Sequence, residues 1–194
     1  MTPKPATDID TALDYFHRTH QHVIAVTTGL SDAQWRFKPA PDCWSIAEIL
    51  EHMVLIEERV LGPIRTQLEQ SPAPSADYDP AVVDRIVFEK LPDRSVKAKA
   101  PAGVNPSGEW TRADTLDRIA RNYQRLAEFV QSTPGLRQHT LESPPLRFIT
   151  NGAHTTMDGL QWAITAAAHD ERHLRQIEEL QALANYPPPE TTPY

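Results

Sequence analysis

Eighteen prolines interrupt this chain, and where they fall limits its fold more than any other feature. Inside a helix proline removes a backbone donor and clashes with the preceding turn, at a cost of about 3 kcal/mol. Long helices are therefore expected in the stretches that avoid it. Four such stretches carry apolar residues at three- and four-residue spacing. The first runs from about Asp8 to Leu30, with Leu13, Phe16, His20, Val23, Ile24 and Thr27 on one stripe, and meets Gly29 and the Pro39-Ala-Pro41 loop. The second opens after Trp44 at Ser45, with Glu48 three residues on, a capping box that satisfies two orphan amide donors. Its stripe is Ile46, Ile49, Met53, Ile56 and Val60, and Gly62-Pro63 is expected to end or kink it near Leu61.

A third helix is expected from Thr111, with Asp114 in the acidic capping position and Leu116, Ile119, Tyr123, Leu126 and Val130 on its stripe, stopping before Pro134-Gly135. The fourth runs from about Thr156 to Ala184. Between the second and third lies a long connection from about Ser71 to Trp110, with one short helix from Pro80 to Lys90 and the length to form a lid. A second connection, Leu136 to His154, contains Pro144-Pro145. No repeat and no convincing strand is visible. The expectation is an all-α protein, a four-helix bundle with long connecting loops. It forms one domain over residues 1–194, with a core of about 8–184 and a proline-rich tail over 185–194.

Net charge narrows the partners. At a formal charge of -7 the chain repels phosphate backbones. Arg94, Lys97 and Lys99, its one basic cluster, have no aromatic residue among them to stack bases, so the cluster reads as a solvated loop and no nucleic-acid partner is expected. Cys43 is the only cysteine, which excludes an internal disulfide and a multi-thiolate zinc cluster. Without a signal-peptide core or a membrane-length apolar run, a cytoplasmic protein with no membrane partner is expected.

The most specific local pattern is His169-Asp-Glu-Arg-His173, which on a helix sets two imidazoles one turn apart on one face. Spacing alone decides little, since about 0.3 such pairs per chain of this composition arise by chance. Direction decides more. His169 and His173 share a face with Trp162, Ala166, Ile177, Leu180 and Ala184, while Glu171, Arg172, Arg175, Glu178 and Glu179 project oppositely. Two imidazoles in an apolar interior leave nitrogens that need partners, which a shared cation supplies. Two core histidines hydrogen-bonded to other side chains are the alternative. His52 lies beside Ile49 and Ile56 at the border of its stripe; it faces the pair across the core or, by periodicity alone, is equally a surface histidine. Three neutral imidazoles would leave an open position on a zinc-like ion, as catalytic sites do.

Two motifs carry a family resemblance. The run Trp44-Ser-Ile-Ala-Glu-Ile-Leu-Glu-His52 resembles the segment that opens the second helix of the DinB-like (YfiT-like) metal-binding bundles. The run His169-Asp-Glu-Arg-His173-Leu-Arg-Gln176-Ile resembles the signature of their last helix. The stretch Lys99 to Pro106, followed by Trp110, is similar to the loop those proteins place before their third helix, so the resemblance covers nearly the whole chain. It implies a divalent ion, zinc or nickel, on His52, His169 and His173, and a homodimer. It also implies a small-molecule substrate handled by a thiol-dependent transferase, with a low-molecular-weight thiol as cofactor, or by a metal-dependent hydrolase. Asn151 and His154, just before the last helix, are the candidates for holding substrate.

Other features yield to simpler readings. Asp170 after the first histidine stands where zinc proteases have a longer glutamate base, which argues against that chemistry. Nothing near Cys43 lowers its pKa by inspection. His17, His20, His22 and His139 read as ordinary core, surface or loop histidines, and Trp44, Trp110 and Trp162 as packing residues. Two functions remain: a metal-dependent enzyme, or a noncatalytic binding bundle that its metal stabilises.

Overall fold

The computed structural model describes residues 7–95 and 103–189, apart from the side chains of residues 60–63 and 65. Lys97, Lys99 and residues 190–194 of the tail discussed above lie outside that description. Each long helix begins where a side chain can satisfy a free amide. Asp8 caps α1 (Ile9–Thr27) by accepting from the Thr11 amide, and Ser45 with Glu48 forms the expected capping box of α3 (Ile46–Leu68). Thr111 caps α5 (Arg112–Ser132) through the Asp114 amide, and Asp158 with Gln161 makes a capping box for α7 (Gly159–Gln181). Shorter elements join them: α2 (Asp32–Arg36), α4 (Pro80–Lys90), β1 (Thr140–Glu142), α6 (Pro144–Ile149) and β2 (Thr156–Asp158).

The four long helices close a ring in which α7 packs on α3 and α1, and α5 packs on the same two from the far side. The all-α expectation holds, and α4 lies against α7 over the residues expected. Four boundaries need correction. Helix α1 ends at Thr27 rather than Leu30. Helix α3 does not end near Leu61 but continues through Pro63 to Leu68, because Ile64 and Leu68 bury to 4% and 3% exposure beyond the proline. The last helix starts at Gly159 rather than Thr156, because residues 156–158 pair as β2 with β1, Leu141 opposite Met157. It ends at Gln181 rather than Ala184. Among the described residues no helix is long and apolar enough to cross a membrane.

Two apolar clusters fill the ring, one toward each end. Phe16, Ile64, Leu68, Leu126, Phe129, Leu160 and Ile164 belong to one; Val23, Ile49, Leu50, Met53, Ile119, Leu174 and Ile177 belong to the other. Between them lies a layer of buried polar side chains that includes His52, Glu57, Asn122, Asp170 and His173. At the end where α7 begins, Arg137 holds Asp84 and Asp158 together and donates to the Thr7 carbonyl. Gln161 donates to Asp84 at 2.8 Å and accepts from the Tyr78 hydroxyl.

Gly159 fixes how closely the hairpin approaches the bundle. A Cβ there would lie 2.6 Å from Leu68 Cδ2 and 2.9 Å from the Leu136 carbonyl oxygen, which accepts the Gly159 amide at 2.7 Å. Alanine is the better helix former, yet Gly159→Ala must displace backbone. We expect a loss of roughly 1–3 kcal/mol in urea unfolding, whereas an unchanged or raised midpoint would mean that the segment at Leu136 yields freely.

Candidate metal centre

Helices α3 and α7 run antiparallel: Leu68 meets Gly159 at one end, and His52 meets His169 and His173 further along, with ring centroids 5.1 and 4.8 Å away. His169 and His173 stand 4.4 Å apart, centroid to centroid. One nitrogen from each of the three lies within 4.8 Å of the others, and the Nε2 atoms of His169 and His173 are separated by 3.1 Å. Trp44, just before α3, walls the group at 4.8 Å from the His52 ring.

Two of the rings are oriented by acceptors. His52 Nδ1 donates to the Val104 carbonyl at 2.7 Å, so its Nε2 keeps the lone pair. The strand of chain that supplies this carbonyl is anchored by Glu51, which is 2% exposed and accepts from the Ser107 amide, the Ser107 hydroxyl and the Gly108 amide. His173 Nδ1 donates to Gln176 Oε1 at 2.9 Å, an oxygen that also accepts from Arg94. Arg94 in turn makes a bidentate pair with Glu179. His169 differs: its buried Nδ1 has no partner, and neither does the buried Oδ1 of Asp170, 3.8 Å away.

Burial lowers the pKa of all three imidazoles. It is the main cause at His52 and at His173, where His169 and His52 add to it. At His169 burial, His52 and Arg172 bring the value down to about 3. The rings are therefore neutral near pH 7, the state in which imidazole ligates. The donor set fits a divalent ion: two nitrogens bound tetrahedrally at about 2.1 Å sit about 3.4 Å apart, close to the separation of His169 and His173. Beneath the rings burial has the opposite effect on acids, raising Asp170 to about 7 and Glu57 well above the carboxylate range, where the neighbouring Asp170 adds to it. Asn122 Nδ2 donates to Glu57 Oε2 at 3.0 Å. A cavity of about 20 Å³, room for one water, is lined by both acids together with His20 and Tyr123.

The structure thus brings His52, His169 and His173 together, with His52 turned inward at 3% exposure. Asn151 and His154 are elsewhere. Asn151 is exposed in the turn after α6 with φ of 51°, and the backbone of His154 is held by the Thr150 hydroxyl. Both precede the start of α7, and His169 lies ten residues further along that helix, about 15 Å at 1.5 Å per residue. His20 stacks on Tyr123, His22 pairs with Glu178 and His139 meets the Ser71 carbonyl. Sequence reasoning missed Glu51, Glu57 and Asn122. Glu57 had a signal, an acid four residues after Met53 on the apolar stripe.

A family model described as the DinB superfamily matches residues 15–177. A relative from Bacillus subtilis strain 168, the uncharacterized protein YuaE, is 23% identical over 153 residues, 79% of this chain and 86% of the relative. The chain belongs to the DinB superfamily, and its three clustered histidines could hold a metal ion.

The lowered imidazole pKa values have a stability consequence. The unfolded chain takes up protons on these groups below the ordinary value of 6.5, and the folded chain resists until much lower pH. The metal-free protein therefore loses stability as pH falls from 6.5 toward 3, and keeps this contribution in full above that window. Removing one such group should flatten the loss: chelator-treated His169→Gln should show a shallower fall in melting temperature across this window than wild type. An identical slope would count against buried neutral rings.

Proposed function

We propose that this protein is a metal-dependent enzyme acting on a small molecule, with one divalent ion, zinc or nickel, held by His52, His169 and His173. The reaction classes that suit it are thiol-dependent S-transfer and hydrolysis. The observation that carries the reading is the convergence of three neutral imidazoles, of which His169 keeps 18% of its side chain exposed. When bound, such an ion supplies Lewis-acid chemistry that brings a water or a low-molecular-weight thiol toward ionisation near pH 7.

The chain's own groups would do the rest. The Val104 carbonyl and Gln176 hold two rings in the ligating tautomer. Arg172 and Arg94 add positive potential at His169 and His173, which favours an anionic group on the substrate. Trp44 excludes water from one side. A homodimer, implied by the resemblance, belongs to the same proposal, as does a cytoplasmic location, and light scattering tests the dimer.

A second reading, a noncatalytic bundle stabilised by its metal, draws on the 3% and 7% exposure of His52 and His173. Elemental analysis with a substrate screen separates the two. The proposal expects about one ion per chain, lost in both His52→Ala and His173→Ala, and turnover lost with it. An ion whose removal lowers the melting temperature but leaves an identified turnover intact would favour the second reading. Wild type without metal would overturn both.

A further inference from the structure

Each ligating imidazole needs an acceptor for the proton on its other nitrogen, since that hydrogen bond fixes the tautomer and raises the basicity of the ligand atom. Val104 and Gln176 serve His52 and His173. Among the described residues His169 Nδ1 has no hydrogen-bond partner, although its Nε2 lies 3.1 Å from that of His173, and Asp170 Oδ1, 3.8 Å from that Nδ1, is buried without one as well. Burying a polar atom without a hydrogen bond costs free energy that a bond between the two would recover. A change of about 1 Å brings them to hydrogen-bond distance.

We propose that Asp170 is the positioning residue that accepts the Nδ1 proton of His169 when the metal is bound, and that Glu57 holds Asp170 in place for that purpose. The proposal rests on the metal-site reading above and assigns roles to two acids that reading does not use. Glu57 comes from α3 and Asp170 from α7, the same two helices that carry the three imidazoles. The two side chains line one small cavity, and Asn122 from α5 donates to Glu57 at its other side. The result is a continuous line, His169, Asp170, Glu57, Asn122, across three helices. Simple packing gives no reason for it: replacing buried ionisable groups with apolar ones of similar volume is commonly neutral or stabilising. An acceptor for a ligand imidazole does give one, because the developing positive charge on the ring and ion is what the carboxylate would stabilise.

The test compares zinc affinity, by competition with a chromophoric chelator at neutral pH, among wild type, Asp170→Asn and Asp170→Ala, with His52→Ala as the site-dead control. Metal-free melting is recorded for each variant. We expect Asp170→Ala to bind zinc 10- to 100-fold more weakly and Asp170→Asn, which keeps an acceptor oxygen without the charge, to fall between. A role in packing alone would instead shift the metal-free melting temperature and leave the affinity of the folded protein unchanged. Folded Asp170→Ala with wild-type affinity overturns the proposal while leaving the metal site standing; wild type that binds no zinc overturns both.

A second measurement needs no variant to fold. In ¹⁵N-labelled, zinc-loaded wild type, the His169 Nδ1–H should appear as a slowly exchanging downfield imidazole resonance alongside those of His52 and His173, assigned through ring nitrogen couplings. Fast exchange with water at His169 alone would also overturn the assignment.

Discussion

The antiparallel contact of α3 with α7 sets everything else. All three imidazoles and both buried acids project from these two helices, so the site exists only in one register. Apolar side chains on either side of the polar layer maintain it. Ile49, Leu50 and Leu174 are fully buried on one side, and Ile164 and Leu160 on the other. A slip by one turn, 5.4 Å, would misplace several such side chains, each worth about 1.5–3 kcal/mol when buried. The hydrophobic effect thus places polar groups that would not assemble on their own.

The bundle holds two buried polar groups, and they differ in kind. Around Arg137, Asp84, Asp158, Gln161 and Tyr78 bond to one another, and the cluster ties α4 and residue Thr7 to the start of α7. That arrangement is complete without a ligand. In the middle layer the bonds stop short at His169 and Asp170. Closed networks specify structure, whereas a buried unsatisfied pair calls for a separate explanation.

How much of this the sequence could reveal depended on whether the signal was local. Ser45 with Glu48 and Thr111 with Asp114 marked two helix starts because capping is decided within four residues. Asp158 with Gln161 carries the same signal and gives the true start of α7; the hydrophobic pattern upstream obscured it. Strands of three residues are too short for alternation to show. Pro63 argued for a helix end, and the local argument lost to burial of Ile64 and Leu68 in a cluster that also holds Leu136 and Leu160. For the site, the histidine motifs were legible because a helix repeats on a simple period. The inward turn of His52 and the roles of Glu51, Glu57 and Asn122 depend on contacts more than fifty residues away in sequence.

Antiparallel pairing of α3 with α7 also has a consequence for how the protein comes into being. His52 leaves the ribosome more than a hundred residues before His169, which at 5–20 residues per second is a delay of roughly 6–25 s. Throughout that interval the inner face of α3, with His52 and Glu57 among its apolar neighbours, has no α7 to lie against. The three-histidine cluster is therefore incomplete until α7 docks.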